Sequence, residues 1–573
     1  MSRATASRST NFRLRAIFVF AVLMLGAGGL LARAVHLQLV ESKDLISKGE
    51  ARFTRSVTTK PNRGAIVDRN GTLLAISTPM VSIGADPQEL GKFPDRWPEL
   101  AEALGQNRDE LARHISGSQN EHFIWLARQL PPPSAQAVRK LELPGVRLMR
   151  EQKRFYPAGE VIGHVVGFTN MEDEGQEGAE LAFDAVLAGE PGLKRVYQDN
   201  LGQHVEDIEN IRTVRPGQEL ALSVDMRIQY IAYKELKAAI EANHAHSGSL
   251  VLIDVLTGEI LAMVNQPTFN PNSRANLTPA LFRNRAVADP IEPGSSIKPF
   301  VVAAALESGH FNASSMIDVS QGYVYVGNRQ FEDEHPNGVL NLAGVLAKSS
   351  NVGMIKIAQA LEPQQIWSTL DHLGFGHLTA GQFKGESAGV LSNYGNWRQE
   401  KIATISFGYG LSVTPLQLAQ AYATIGALGV RRPLSILRRD TAVTEQRVIS
   451  TENARALINM LETVVKDGTG TKAAIPGYRI AGKTGTARKS NGSGGYFDDR
   501  YVAVFGGVAP ASNPRLAAVV VIDDPAAGHY YGGDISAPVF ARVMGGALRL
   551  MGVAPDAAAS ADPETGVSTM VQR

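Results

Sequence analysis

The chain has no cysteine in 573 residues, which excludes disulfides, thiolate metal sites and cysteine nucleophiles together. That composition suits an oxidising compartment without requiring one. Excess charge is missing too. Lys and Arg number 57 against 56 Asp and Glu, a net charge of +1, so no broad field marks nucleic acid as a partner. There is no HExxH, and the 12 histidines are scattered. The usual signature of zinc peptidases is therefore absent. What remains is ordinary globular material, 44% hydrophobic and 20% charged, long enough for two or more domains.

One stretch stands apart. Residues 1–15 carry Arg3, Arg8, Arg13 and Arg15 and no acidic side chain, and Ala16 to Ala32 then runs without a charge until Arg33. Extended by Ala34, Val35 and Leu37, this run reaches the length of a membrane-spanning helix. The basic flank predicts a cytoplasmic N-terminus with the rest of the chain outside. A cleaved signal peptide is the rival reading, but Arg33 and His36 stand where small cleavage-site residues belong.

Beyond the apolar run, 34–58 reads as helix and Ala65–Ala75 as strand, Asn-Gly turn, strand. The pattern over 85–145 is mostly helical, interrupted by a loop at Pro131-Pro132-Pro133. Pro216-Gly217 marks a boundary. After it come a strand at Glu219–Val224, an amphipathic helix at Asp225–Ala242 and a hairpin of Ser249–Asp254 with Glu259–Val264. Helical stretches follow at 298–308, 341–362 and 414–427. Three strands (Tyr478–Ala487, Tyr501–Val508, Leu516–Ile522) and a helix over 535–552 complete the pattern. These predict one antiparallel sheet with helices on its faces. The segments are 1–15 (cytoplasmic), 16–37 (anchor), 38–216 (first module), 217–553 (second domain) and 554–573, a tail expected to be disordered.

Three short motifs in the second domain carry chemistry: Ser295-Ser296-Ile297-Lys298, Ser349-Ser350-Asn351 and Lys483-Thr484-Gly485-Thr486. Taken singly, Ser295 reads as a helix N-cap, Lys298 as a solvated charge, Ser349 and Asn351 as a loop, and Lys483 as an edge-strand lysine. Their conjunction in one domain points instead to a serine acyl-transfer site that uses lysine as its proton carrier. Glu292-Pro293-Gly294 turns the chain so that Ser295 begins a helix, with Lys298 one turn on and Pro299 in the first turn, where it breaks no helical bond. A lysine near its ordinary pKa, about 10.4, is a poor base at neutral pH. Lys298 would need burial and a second cation, for which Lys483 is the candidate. Asn351 suits a substrate amide and Ser349 a proton relay. Lys483, Thr484 and Thr486 suit a substrate carboxylate, with Gly485 allowing close backbone approach. The Thr486 N–H suits an oxyanion.

On these motifs the chain resembles the class B penicillin-binding proteins, and among them the division-type (septal) D,D-transpeptidases. Further residues carry the likeness: Arg63-Gly64 with Asp68-Arg69-Asn70-Gly71; Arg154, Tyr156, Pro157, Gly159, His164 and Gly167; Gly175, Glu177, Gly178 and Glu180. Gly408-Tyr409-Gly410 with Thr414-Pro415, and Tyr530-Tyr531-Gly532-Gly533, add to it. The resemblance implies an α/β fold of the α+β type: a transpeptidase domain with a central antiparallel sheet flanked by helices, a mixed pedestal before it, and one transmembrane helix. It also implies that Ser295 attacks the penultimate D-alanine of peptidoglycan stem peptides on lipid II-derived strands, releases terminal D-alanine and passes the acyl group to an amine on a neighbouring stem. β-Lactams would acylate the same serine. No metal or cofactor is implied. The implied partners are an FtsW-type glycosyltransferase and other divisome proteins, and the implied place is the bacterial inner membrane with a periplasmic catalytic domain. An elongation-type relative, a β-lactamase, a D,D-carboxypeptidase and a non-catalytic β-lactam sensor or division scaffold are the alternatives.

Overall fold

The computed structural model describes residues 10–43, 54–198, 204–273 and 277–557. The chain divides into two compact units, one of residues 1–61 with 189–216 and one of 62–188 with 217–573. The 38–216 module expected from sequence is thus shared between them. In the first unit, Ala16–Ala32 lies within a helix that begins at Thr10 and continues as a π-turn over His36–Val40. Phe12–Val40 is long and apolar enough to cross a membrane. The helix expected over 34–58 does not extend to its end. Residues 44–53, with Leu45 and Ile46, lie outside the described residues, and Thr54–Thr59 is a strand. Its β-branched Thr and Val side chains favour extended backbone. It pairs with Gly192–Gln198, which pairs in turn with His204–Arg212.

Among the described residues the second unit holds three two-stranded sheets and two five-stranded ones, one with shorter strands than the other. In the smaller one, Ile66–Val67 and Leu73–Ala85 pair across the Asn-Gly turn, as the sequence predicts, and Leu220–Ala221 joins in parallel. Leu73–Ala85 also pairs with Ile124–Leu130 and Val146–Phe155. Ile124–Leu130 is a strand within a region read as helical. The prolines after it form no loop: a helix runs over Pro132–Arg139 with proline at its first positions, where a missing N–H breaks no helical bond.

The larger sheet comprises β1 (Ser247–Asp254), β2 (Ile260–Gln266), β3 (Ala481–Ser490), β4 (Tyr496–Ala509) and β5 (Leu516–Asp523), all antiparallel in the order β2-β1-β5-β4-β3. Both faces are buried. Along β5, Ala517, Val519 and Val521 enter one core while Ala518, Val520 and Ile522 enter the other, the two-residue period of a strand. Helices α1 (Met226–Ala242) and α6 (Gly532–Leu550) cover one face. On the other lie α2 (Lys298–Glu307), α3 (Asn351–Gln359), α4 (Pro415–Gly426) and α5 (Thr451–Asp467). Every residue of α2 from Lys298 to Leu306 is buried, so the helix bearing the first motif runs through the core.

Two further expectations change. The 341–362 stretch is two helices, Leu342–Ala347 and α3. Ser349 stands between them at φ +55°, and Ser350 caps α3 by accepting from Gly353 N at 2.8 Å. The residues just past 553 also fold back. Asp556 accepts from Arg479 N (2.7 Å) and Ser512 Oγ (2.6 Å), and Ala557 N donates to Gly477 O (3.1 Å). Residues 558–573 lie outside the described set.

Candidate active site

Ser295 sits in a 3₁₀ turn, Gly294–Ile297, that feeds directly into α2. Gly294 has φ +52°, which glycine adopts at least cost, and any Cβ there would lie 2.9 Å from Thr486 O. Ser296 Oγ donates to Pro293 O (2.6 Å), and Tyr422 OH to Ser296 O (2.9 Å). The turn is therefore fixed from both sides.

Beneath it lie two fully buried lysines. Lys298 Nζ donates to Ser349 O (2.6 Å), Asn351 Oδ1 (2.8 Å) and Ser349 Oγ (3.3 Å). Lys483 Nζ reaches the same Ser349 Oγ at 3.1 Å, and Thr484 O and Oγ1 at 3.1 and 3.2 Å. Two amines thus share one hydroxyl, with no carboxylate bonded to either among the described residues. Burial, and then repulsion from Lys483, hold Lys298 well below the usual lysine range, and Asp333 opposes this only in part. Burial lowers Lys483 to about 7. Both shifts favour a neutral amine in the core, the state a lysine base needs.

The second motif is placed by a residue the sequence reading missed. Asp333 accepts from Ser350 Oγ (2.5 Å), Asn351 N (2.5 Å) and Val352 N (3.0 Å). It thereby anchors the start of α3, where a carboxylate also meets the helix dipole favourably. Asp333 lies outside all three motifs, and nothing in its sequence surroundings marks it.

On edge strand β3, Thr484 Oγ1 pairs with Thr469 Oγ1 (2.6 Å), and Thr486 Oγ1 accepts from Gly532 N (3.1 Å). Gly485 corrects an expectation. A Cβ there would lie 2.8 Å from Pro293 O and 3.0 Å from Ser296 Cβ, so the missing side chain admits the Ser295 turn rather than a substrate. Ser295, Ser349, Asn351, Thr484 and Thr486 line one cavity of about 690 Å³, within the range of small-ligand sites. Among the described residues no hydrogen bond reaches Ser295 Oγ, which leaves it free for an incoming carbonyl. A second cavity of about 670 Å³, lined by Arg285, Glu292, Ser412 and Lys489 among others, contains none of the motif residues.

Comparison with known proteins agrees with this arrangement. A penicillin binding protein transpeptidase domain model matches residues 248–545, and a penicillin-binding protein dimerisation domain model matches 58–222. The chain is similar to the peptidoglycan D,D-transpeptidase FtsI of Escherichia coli K12, with 44% identity over 546 residues, 94% of this chain and 92% of that one. It is 40% identical over 552 residues to the probable peptidoglycan D,D-transpeptidase PbpC of Pseudomonas aeruginosa, covering 96% and 97% of the two chains. Among solved structures, penicillin binding protein 3 of Mycobacterium tuberculosis complexed with aztreonam superposes with a TM-score of 0.69 at 28% identity, covering 87% of this chain and 98% of that one.

Proposed function

This chain belongs to the FtsI-type class B penicillin-binding proteins, the septal peptidoglycan D,D-transpeptidases, and we propose that Ser295 is its nucleophile and the Lys298–Ser349–Lys483 relay its proton carrier. The observation that carries this reading is the Ser349 hydroxyl held between two buried amines, at 3.3 and 3.1 Å. The substrate is the D-Ala-D-Ala end of a peptidoglycan stem peptide, and β-lactams occupy the same site.

In the acylation step the neutral Lys298 amine takes the Ser295 proton as Oγ bonds to the penultimate D-alanine carbonyl. The oxyanion is met by the N–H groups of Ser295 and Thr486. Ser349 relays a proton to the leaving nitrogen, the peptide bond breaks and terminal D-alanine departs. Lys483, Thr484 and Thr486 hold its carboxylate, and Asn351 holds the amide before it. An amine on a neighbouring stem then attacks the ester, gives its proton back through the same relay and regenerates the Ser295 hydroxyl. Intact-mass spectrometry of the protein with a penicillin tests this assignment. A lasting adduct on the parent and none on Ser295→Ala is expected, and an adduct on both would remove Ser295 from the role.

The helix within Phe12–Val40 serves in this reading as a single-pass anchor in the bacterial inner membrane. The arginines before it keep the N-terminus cytoplasmic, and the catalytic domain is periplasmic. Its partners are an FtsW-type glycosyltransferase and other divisome proteins. Protease protection in spheroplasts checks the orientation, since only the periplasmic domain should be cut.

A further inference from the structure

The cavity mouth is crossed by a bond that the reaction does not use. Tyr531 OH donates to Glu334 Oε1 at 2.9 Å, across 197 residues of sequence, and both side chains line the cavity that holds Ser295. The two ends of this bond belong to different walls. Glu334 follows Asp333, which is fixed to Ser350 and Asn351. Tyr531 precedes Gly532, whose N–H is fixed to Thr486 Oγ1. A peptide entering the cavity therefore passes this carboxylate.

The charges around it single Glu334 out. Asp333 is spent on the start of α3, and Asp534 pairs with Lys472 at 2.8 Å. Glu334 is exposed and forms no ion pair with Lys, Arg or His among the described residues. Asp467 also lines the cavity and has no ion pair among the described residues, but no aromatic group is bonded to it there. Glu334 instead stands against an aromatic surface: Tyr531 lies 4.6 Å from Tyr530, which stacks on Tyr501 at 4.1 Å. A carboxylate beside tyrosine rings attracts an organic ammonium by charge and by the ring faces together.

We infer that Glu334, held by Tyr531, is a specificity residue that recognises a primary ammonium on the stem peptide. The inference rests on the transpeptidase reading above, in which an amine of one stem attacks the acyl group of another. Donor and acceptor come from the same polymer, so both carry that amine, and the ammonium met by Glu334 belongs to one of them.

The test uses a lysyl-D-alanyl thioester donor with its lysine side-chain amine free or acetylated, and a lysine-containing peptide as acceptor. Glu334→Gln keeps an acceptor for Tyr531 OH and removes the charge. If the donor's ammonium is read, the preference for the free over the acetylated donor falls by about two- to fivefold, the range of an exposed ion pair. If the acceptor's is read, that preference holds and the ratio of aminolysis to hydrolysis of the acyl-enzyme falls by a similar factor. Glu334→Lys should reverse whichever preference Glu334→Gln weakens, while Tyr531→Phe, which keeps the charge, should retain most of it. The inference is overturned if neither ratio moves in Glu334→Gln, or if Tyr531→Phe abolishes the preference as fully, since geometry rather than charge would then be responsible. Absence of any penicillin adduct on the parent would count against the Ser295 reading instead.

Discussion

Two groups of buried charges lie in the same compact unit, and they are built by opposite rules. In the smaller-sheet region, Glu180 is wholly buried between two arginines. It accepts from Arg63 Nε at 2.6 Å and Arg154 Nε at 2.7 Å, and Asp184 takes Arg63 Nη1 at 2.7 Å. The remaining guanidinium donors go to Asp173 O, Glu180 O, Gly64 O and Ser77 Oγ. Burial works against the Arg63 charge, yet the two carboxylates outweigh it and its pKa rises. Around Ser349 the reverse holds, with two amines, one hydroxyl and no bonded carboxylate. A buried charge given its opposite stays charged and ties distant segments together. A buried charge denied its opposite gives up its proton and becomes reactive. The arginines that the family likeness picked out thus hold the structure, and the proposed chemistry falls to the lysines.

The strongest way to break this comparison is to exchange the consequences. Lys298→Met should slow penicillin acylation by about 10³-fold, the middle of the range for loss of a positioned base, and shift the unfolding midpoint less than a change at Glu180 does. Glu180→Ala should do the opposite. It strands buried Arg154, leaves Arg63 with Asp184 alone, and should cost about 3–5 kcal/mol in urea unfolding, while the folded fraction acylates at close to the parent rate. If both variants lose stability and chemistry alike, the division between the two groups fails.

Gly485→Ala asks whether the lysines act through the placement of the Ser295 turn. A Cβ pressed against Pro293 O and Ser296 must push that turn from β3, and acylation should fall by about 10²-fold. Stopped-flow acylation with a chromogenic cephalosporin reads this directly.

A pH series sharpens the contrast further. Lys483 moves from about 10.5 unfolded to about 7 folded, so between these values the unfolded chain binds the extra proton and stability rises with pH. Calorimetry over that window should show the rise, and Lys483→Met should reduce it, Lys298 supplying the remainder. The second-order acylation rate should be bell-shaped, with an alkaline limb near 7 as Lys483 loses the charge that holds the substrate carboxylate. Lys483→Arg should move that limb upward. The smallest effect is expected from Asp333→Asn. It weakens the anchoring of α3 by about 1 kcal/mol in thermal unfolding and, by removing the one opposing anion, lowers Lys298 further.

Much of the catalytic region was legible because its signals are local. The hairpin of β1 and β2 and the strand β5 announce themselves as short apolar runs between turns. The helix after Asp225 shows its cap and its period. Elsewhere local pattern misled. Ile124–Leu130 is a strand because Leu73–Ala85 offers it a partner, and Thr54–Thr59 because Gly192–Gln198 does. A partner 39 or more residues away in sequence, as in both cases, leaves no trace in a short window. Asp333 and Glu334 escaped for the same reason. Their meaning comes from α3 and Tyr531, and neither is a neighbour in sequence.

By itself the sequence determined which groups could react, in what order along the chain, and that one apolar segment near the N-terminus is suited to a membrane. Those properties follow from side-chain chemistry and spacing. Only the tertiary structure decided that Lys298 and Lys483, bonded to a serine 51 and 134 residues away, have their pKa values lowered while that of Arg63 rises, and that Gly485 makes room for the Ser295 turn. A pKa and a steric gap depend on what lies within a few ångströms in space, and folding alone brings those neighbours together.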